Sequence, residues 1–127
     1  MRRGGRPVFI DLRAMRWPPG AVASILHRAS GLLLFLAIPF ALWLLERSLS
    51  GPEGFGQVRA ALASWPVRLA LAALGWALAH HLAAGVRFLL MDAGLLGHGV
   101  RAGRASAWAA VAAGALGLLA AVWGLVS

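Results

Sequence analysis

The sequence predicts an all-α integral membrane protein with three transmembrane helices. Three observations carry that prediction. The 127 residues are 61% hydrophobic, with a mean hydropathy of +0.78, which is too apolar for a soluble domain of this length. Three long apolar stretches are separated by segments that collect Gly, Pro, Ser and charge. The net charge of +8 arises from twelve arginines and no lysine, and six of the twelve lie in the first 28 residues. A basic arm next to a hydrophobic span reads as a juxtamembrane segment held on the cytoplasmic side, not as a nucleic-acid-binding tail. With no cysteine in the chain, a disulfide framework, covalent haem attachment through a CxxCH motif and a thiolate-held iron–sulfur cluster are all excluded within it.

Residues 1–19 form the predicted cytoplasmic arm, and residues 20–127 the three-helix anchor domain. The arm is broken by prolines and carries a short apolar patch at Val8, Phe9 and Ile10. Asp11, Arg13 and Arg16 interrupt any secretory h-region, so no cleavage is expected. Pro18 and Pro19 lack N–H groups and suit a first helical turn, which places the first span over about 21–45. Its stretch free of His and charge, Ala29 to Leu45, covers ~26 Å against a hydrocarbon core of ~30 Å. Ser24, His27 and Arg28 therefore fall at the cytoplasmic edge. Pro39 is expected to kink this helix, because it removes a backbone donor and crowds the preceding turn.

Glu46 to Ser64 has loop composition, with room for a short surface helix over Gly56 to Ser64. The second span is expected over 66–91, with Gly94 and Gly97 as stop signals. Asp92 to Arg104 then forms a short loop that carries His98, Arg101 and Arg104. The third span, 105–126, contains no charge. An N-terminus on the cytoplasmic side puts nine arginines inside and three outside, which fixes the orientation. Trp17, Trp43, Trp65 and Trp108 lie near predicted span ends, as an interfacial belt requires, whereas Trp76 and Trp123 do not. In the third span Ala109, Ala113, Gly117 and Ala121 recur at four-residue spacing and predict a helix-packing face.

The chemistry concentrates in two places. Inside the second span, His80 and His81 sit in an otherwise apolar run from Ala73 to Met91, and an imidazole in hydrocarbon needs a partner. Ala73, Ala77, His81 and Gly85 share one helix face, where small side chains leave room for a flat macrocycle. His80 points about 100° away, beside Trp76 and Arg87. That geometry favours His81 as a haem iron ligand; the alternative for either histidine is an interhelical hydrogen bond. On the first helix, Ser24, His27, Arg28 and Gly31 also share a face. A hydroxyl, an imidazole and a guanidinium fork suit a quinone carbonyl or haem propionates; the alternative is that Arg28 snorkels to lipid phosphate. Arg28 lies near the inner surface and His81 lies ~15 Å above Met91, so a haem at His81 can point its propionates toward His27 and Arg28.

Several motifs run together through the chain: Arg6-Pro7-Val8 with Asp11-Leu12, Ser24-Ile25-Leu26-His27-Arg28-Ala29-Ser30-Gly31, Ser50-Gly51-Pro52-Glu53-Gly54-Phe55, and His81 with Gly85-Val86-Arg87 and Met91-Asp92. In them the chain resembles the cytochrome b membrane-anchor subunit of bacterial succinate dehydrogenase, respiratory complex II. The resemblance covers nearly the whole chain. It implies a haem b shared with a second small membrane-anchor subunit, with His81 as one axial ligand and His27 and Arg28 near the propionates. It further implies that Ser24 and Arg28 help form a ubiquinone site near the cytoplasmic surface. FAD and iron–sulfur clusters then belong only to partner flavoprotein and iron–sulfur subunits, docked on the cytoplasmic face of a bacterial inner membrane. The chain is expected to be a subunit, not an enzyme alone. Phe88 departs from the family pattern, which often has histidine there, and His80 has no counterpart in it. Two other readings are the anchor of a quinol:fumarate reductase and a cofactor-free membrane scaffold whose histidines merely join helices.

Overall fold

A computed structural model describes residues 17–96 and 99–127. The arm residues 1–16, with the Val8-Phe9-Ile10 patch and the motif residues Arg6, Pro7, Asp11 and Leu12, lie outside the described residues, as do Gly97 and His98. Within those limits the chain is all-helical: α1 (Pro19–Leu49), α2 (Pro52–Ala63), α3 (Trp65–Asp92) and α4 (Val100–Val126). The helices α1, α3 and α4 are each long and apolar enough to cross a membrane.

Pro18 is extended and Pro19 opens α1 at the position where a missing N–H costs nothing. The helix runs through Pro39 to Leu49. It is followed by Gly51, whose φ of 122° suits a residue without Cβ. Pro52 then starts α2, four residues earlier than the short helix expected from Gly56, with Glu53 in its first turn facing the positive end of the helix dipole. The α2 helix is tied back to α1 where Arg47 Nε and Nη2 donate to Gln57 Oε1 at 3.0 and 2.7 Å.

A single residue, Ser64, separates α2 from α3. At the far end of α3, Gly94 adopts φ 70°. Its N–H donates to Met91 O and that of Leu95 to Leu90 O, the paired bonds of a Schellman cap that satisfy the last carbonyls. The connection to α4 is shorter than expected. Arg101 and Arg104 are helical from Val100 onward and not in a loop, because Ala and Arg favour helix and Gly103 alone does not break it.

Pairs of contacts fix the topology. Gly75 faces Ala121, His80 faces Gly114, and Arg87 bonds Ser106, so α3 and α4 are antiparallel. Gly31 faces His81 and Gly85 faces His27, so α1 and α3 are antiparallel as well. Arg68 Nη1 donates to Leu125 O at 2.8 Å, which satisfies a carbonyl in the last turn of α4 with a cation.

The interior is built from small residues. Ala23, Ala72, Ala77, Ala84, Ala107 and Ala110 are buried, and the largest fully buried side chains are His80 and Ser30. Leu and Phe project outward instead, as between Leu32 and Phe40 on α1. That inversion is what lipid permits, since the association of apolar helices in a bilayer rests on close backbone approach. On α4 the contact stripe is Ala107, Ala110, Gly114, Gly117 and Ala121. The expected stripe at strict four-residue spacing drifts about 40° per step, so Ala109 ends on the exposed surface while Gly117 and Ala121 remain against α3.

Candidate functional site

The α1–α3 crossing brings the two predicted polar clusters together. His27 and His81 stack with ring centroids 4.2 Å apart and an interplanar angle of 11°. Phe88 tilts against His27 at 5.3 Å, so its ring packs on the imidazole from α3. Gly31 lets the helices cross this closely, whereas at Gly85 a side chain would be in ordinary contact. A Cβ on Gly31 would sit 2.8 Å from His81 Cε1, and one on Gly85 would sit 3.6 Å from His27 Nε2. The room that small residues leave beside His81 is therefore partly taken by α1 itself, a use for it that helical spacing does not reveal.

His81 Nδ1 lies 3.1 Å from the His27 carbonyl oxygen and 3.3 Å from Ser30 Oγ, whose hydroxyl donates to the same carbonyl at 2.9 Å. That carbonyl can only accept, so Nδ1 carries a proton, and in the neutral ring Nε2 then keeps its lone pair. His81 Nε2 has no hydrogen-bond partner among the described residues and is not enclosed. A neutral imidazole held at Nδ1 by a backbone carbonyl, with Nε2 open, has the form of a metal-binding histidine with its orienting bond.

His80 satisfies half of the same description. Its Nδ1 donates to Ala110 O at 3.0 Å across α3 and α4, and its ring stacks on Trp76 at 5.8 Å. Its Nε2, however, is buried without a partner, and the residue is fully buried beside Gly114. Both histidines thus make the interhelical bond that a purely structural role requires. Only His81 also presents its second nitrogen outward. Trp76, which does not fit the interfacial belt, is the stacking partner that accounts for its depth.

Ser24 and Arg28 lie one turn apart on α1, with Arg28 Nη2 donating to Ser24 Oγ at 3.4 Å. Arg28 is exposed, so its fork of donors remains open to an outside ligand. Of the four predicted site residues, His27 and His81 meet at the α1–α3 crossing, while Ser24 and Arg28 lie within one turn of His27 on α1 and bond to each other. Sequence reasoning missed two others. Ser30 is fully buried at the crossing; it stands in the Ser/Thr position of the first motif, but the motif alone gives it no partner. Arg87 counts as an interfacial charge in the sequence pattern, yet it is buried against Ser106 and Gly103 O on α4.

An open imidazole suits iron whose equatorial positions a macrocycle already fills, and no three His, Cys, Asp or Glu side chains converge to hold a bare ion among the described residues. Comparison with known proteins agrees with this architecture. The chain is 38% identical over 121 residues to the succinate dehydrogenase cytochrome b556 subunit of Coxiella burnetii (strain RSA 493 / Nine Mile phase I), covering 93% of this chain and 95% of that one. It is 35% identical over 94 residues to the protein of the same name from Paracoccus denitrificans, covering 74% and 72%. The model of the succinate dehydrogenase/fumarate reductase transmembrane subunit family matches residues 2–121. With three membrane-length helices around a histidine-bearing crossing, the chain belongs to the succinate dehydrogenase/fumarate reductase transmembrane subunit family.

Proposed function

We propose that this anchor subunit of succinate dehydrogenase carries His81 as one axial ligand of a haem b. The second ligand comes from a second small membrane-anchor subunit. The observation that carries the reading is the His81 Nδ1 bond to the His27 carbonyl, which in the neutral ring leaves the Nε2 lone pair free for iron. Haem supplies one-electron chemistry when bound. The chain's own part is to hold the imidazole in one tautomer, pack it against His27 and Gly31, and keep a cation nearby. His27 and Arg28 face the propionates in this reading, where the Arg28 guanidinium offers charge-assisted hydrogen bonds to carboxylates.

Ser24 and Arg28 form the quinone contact. Their mutual bond orients both donors toward the same exposed surface, where they stabilise negative charge developing on a ubiquinone oxygen. The arginine-rich end then faces the cytoplasm of a bacterial inner membrane and receives the iron–sulfur and flavoprotein subunits. The names of both relatives favour succinate oxidation over fumarate reduction as the working direction.

Membranes from cells lacking this chain provide the test. Succinate oxidation by an artificial soluble acceptor is expected to move to the soluble fraction, and succinate-dependent ubiquinone reduction is expected to vanish. Retention of quinone-linked activity on the membrane contradicts the anchor role. Arg28→Leu in the intact complex is expected to slow ubiquinone reduction about tenfold or more, the loss of roughly one charge-assisted hydrogen bond. An unchanged rate with Arg28→Leu removes Arg28 from the quinone site.

A further inference from the structure

On the side of α3 away from His81 lies an open groove between α3 and α4, with a volume of ≈ 380 Å³. Arg87 lies six positions after His81, which turns it about 120° around the helix from the haem-facing side. Ala83, Ala109 and Ala110 line the groove one turn deeper than Arg87 and Ser106, and Leu90 and Leu96 line it toward the helix ends. Arg87 and Ser106 line it between these apolar parts, one to two turns inside the ends of their helices.

Arg87 is only 7% exposed. Its Nε donates to Ser106 Oγ at 3.0 Å and its Nη2 to Gly103 O at 3.3 Å. Both acceptors are neutral, and the guanidinium also lies over the Phe88 ring at 5.1 Å. Guanidinium has five N–H donors, so three are unspent, and no carboxylate pairs with it among the described residues. A buried cation at membrane depth is expensive unless an anion meets it. Arg101 and Arg104 are exposed on the first turns of α4 and add positive field at the same end.

We propose that this groove is a binding site for an anionic phospholipid, with its phosphate on the free guanidinium N–H groups of Arg87 and an acyl chain along Ala83, Ala109 and Ala110. The groove offers a lipid both of the parts it needs: a cation at Arg87 without a carboxylate partner among the described residues, and apolar surface along Ala83, Leu90, Ala109 and Ala110. A quinone matches less well, because it brings no charge to neutralise the arginine. The site is independent of the haem reading, as it lies on another face of α3.

The test uses the purified complex in detergent, washed and titrated with mixed micelles of phosphatidylglycerol or phosphatidylcholine, with bound lipid counted by native mass spectrometry. Wild type is expected to retain phosphatidylglycerol in preference to phosphatidylcholine. Arg87→Gln should weaken phosphatidylglycerol retention about tenfold, as expected for roughly one charge-assisted bond, and erase the preference. Ala109→Phe, which fills the groove from its exposed side while leaving Arg87 in place, should reduce retention of the same lipid. It decides the question alone if Arg87→Gln fails to assemble. Equal retention in wild type and Ala109→Phe, an undiminished preference in Arg87→Gln, or displacement of the lipid by ubiquinone overturns the proposal.

Discussion

His81 is held by geometry that a point substitution can disturb selectively. Its ring edge abuts Gly31, where a Cβ would come within 2.8 Å of Cε1, whereas a Cβ on Gly20 would meet nothing within 4 Å. Gly31→Val is therefore expected to push the imidazole off the His27 carbonyl and to deplete haem from the purified complex. Gly20→Val should leave the haem content unchanged. The haem-to-protein ratio measured by pyridine haemochrome checks both; equal haem in the two variants contradicts the pinned imidazole. The sequence made the compatible depths of His81 and the first-helix motif legible, from helical rise counted from the span ends, but not the direct contact of His81 with His27 and Gly31. It did not make the tautomer legible, since that depends on which backbone carbonyl from α1 meets Nδ1. Ser30 illustrates the same limit: its hydroxyl satisfies a carbonyl one turn back, a local bond whose neighbour across the crossing is set by tertiary packing.

The α3–α4 pair is where helix packing is tightest. Gly75 faces Ala121, and a Cβ on Gly117 would overlap Ala79. Gly117→Leu is expected to separate the two helices at mid-membrane and destabilise the complex by about 1–3 kcal/mol, the usual range for overpacking. Gly124→Leu is the matched control, because a Cβ there meets nothing within 4 Å. Detergent-solubilised thermal unfolding compares them, and equal midpoints contradict the packing assignment. Existence and order of the three long helices followed from hydropathy and punctuation by Pro and Gly. Boundaries were less legible: α4 starts at Val100 and α2 at Pro52, where weak signals such as a proline in a first turn outweighed loop-like composition. The packing stripe was legible as small residues, but its true spacing of three and four residues emerges only from contact with Gly75, Ala79 and His80.

At the scale of the whole molecule, α1 contributes only Ala23 and Ser30 to the buried set, and its long apolar surface faces outward. That surface is suited to lipid and to a second anchor subunit. The arginine asymmetry further predicts the orientation. Because the chain contains no cysteine, single introduced cysteines report it directly. Glu53→Cys should react with a membrane-impermeant maleimide from outside the cytoplasmic membrane, and Asp92→Cys only after that membrane is opened; the reverse pattern inverts the topology. The charge pattern was fully legible in sequence, whereas the burial of Arg87 was not, because a positive-inside count treats every arginine as an interfacial charge. The role proposed for His81 bears on all three scales, since in that reading one residue joins the crossing of α1 and α3 to the electron-transfer function of the assembly. Its most direct test is the dithionite-reduced minus oxidised visible spectrum of the purified complex in wild type, His81→Ala and His80→Ala. A b-type α band that is lost or shifted in His81→Ala and kept in His80→Ala is the predicted result. No band in the wild type, or an unchanged band in His81→Ala, contradicts the assignment of His81 to haem.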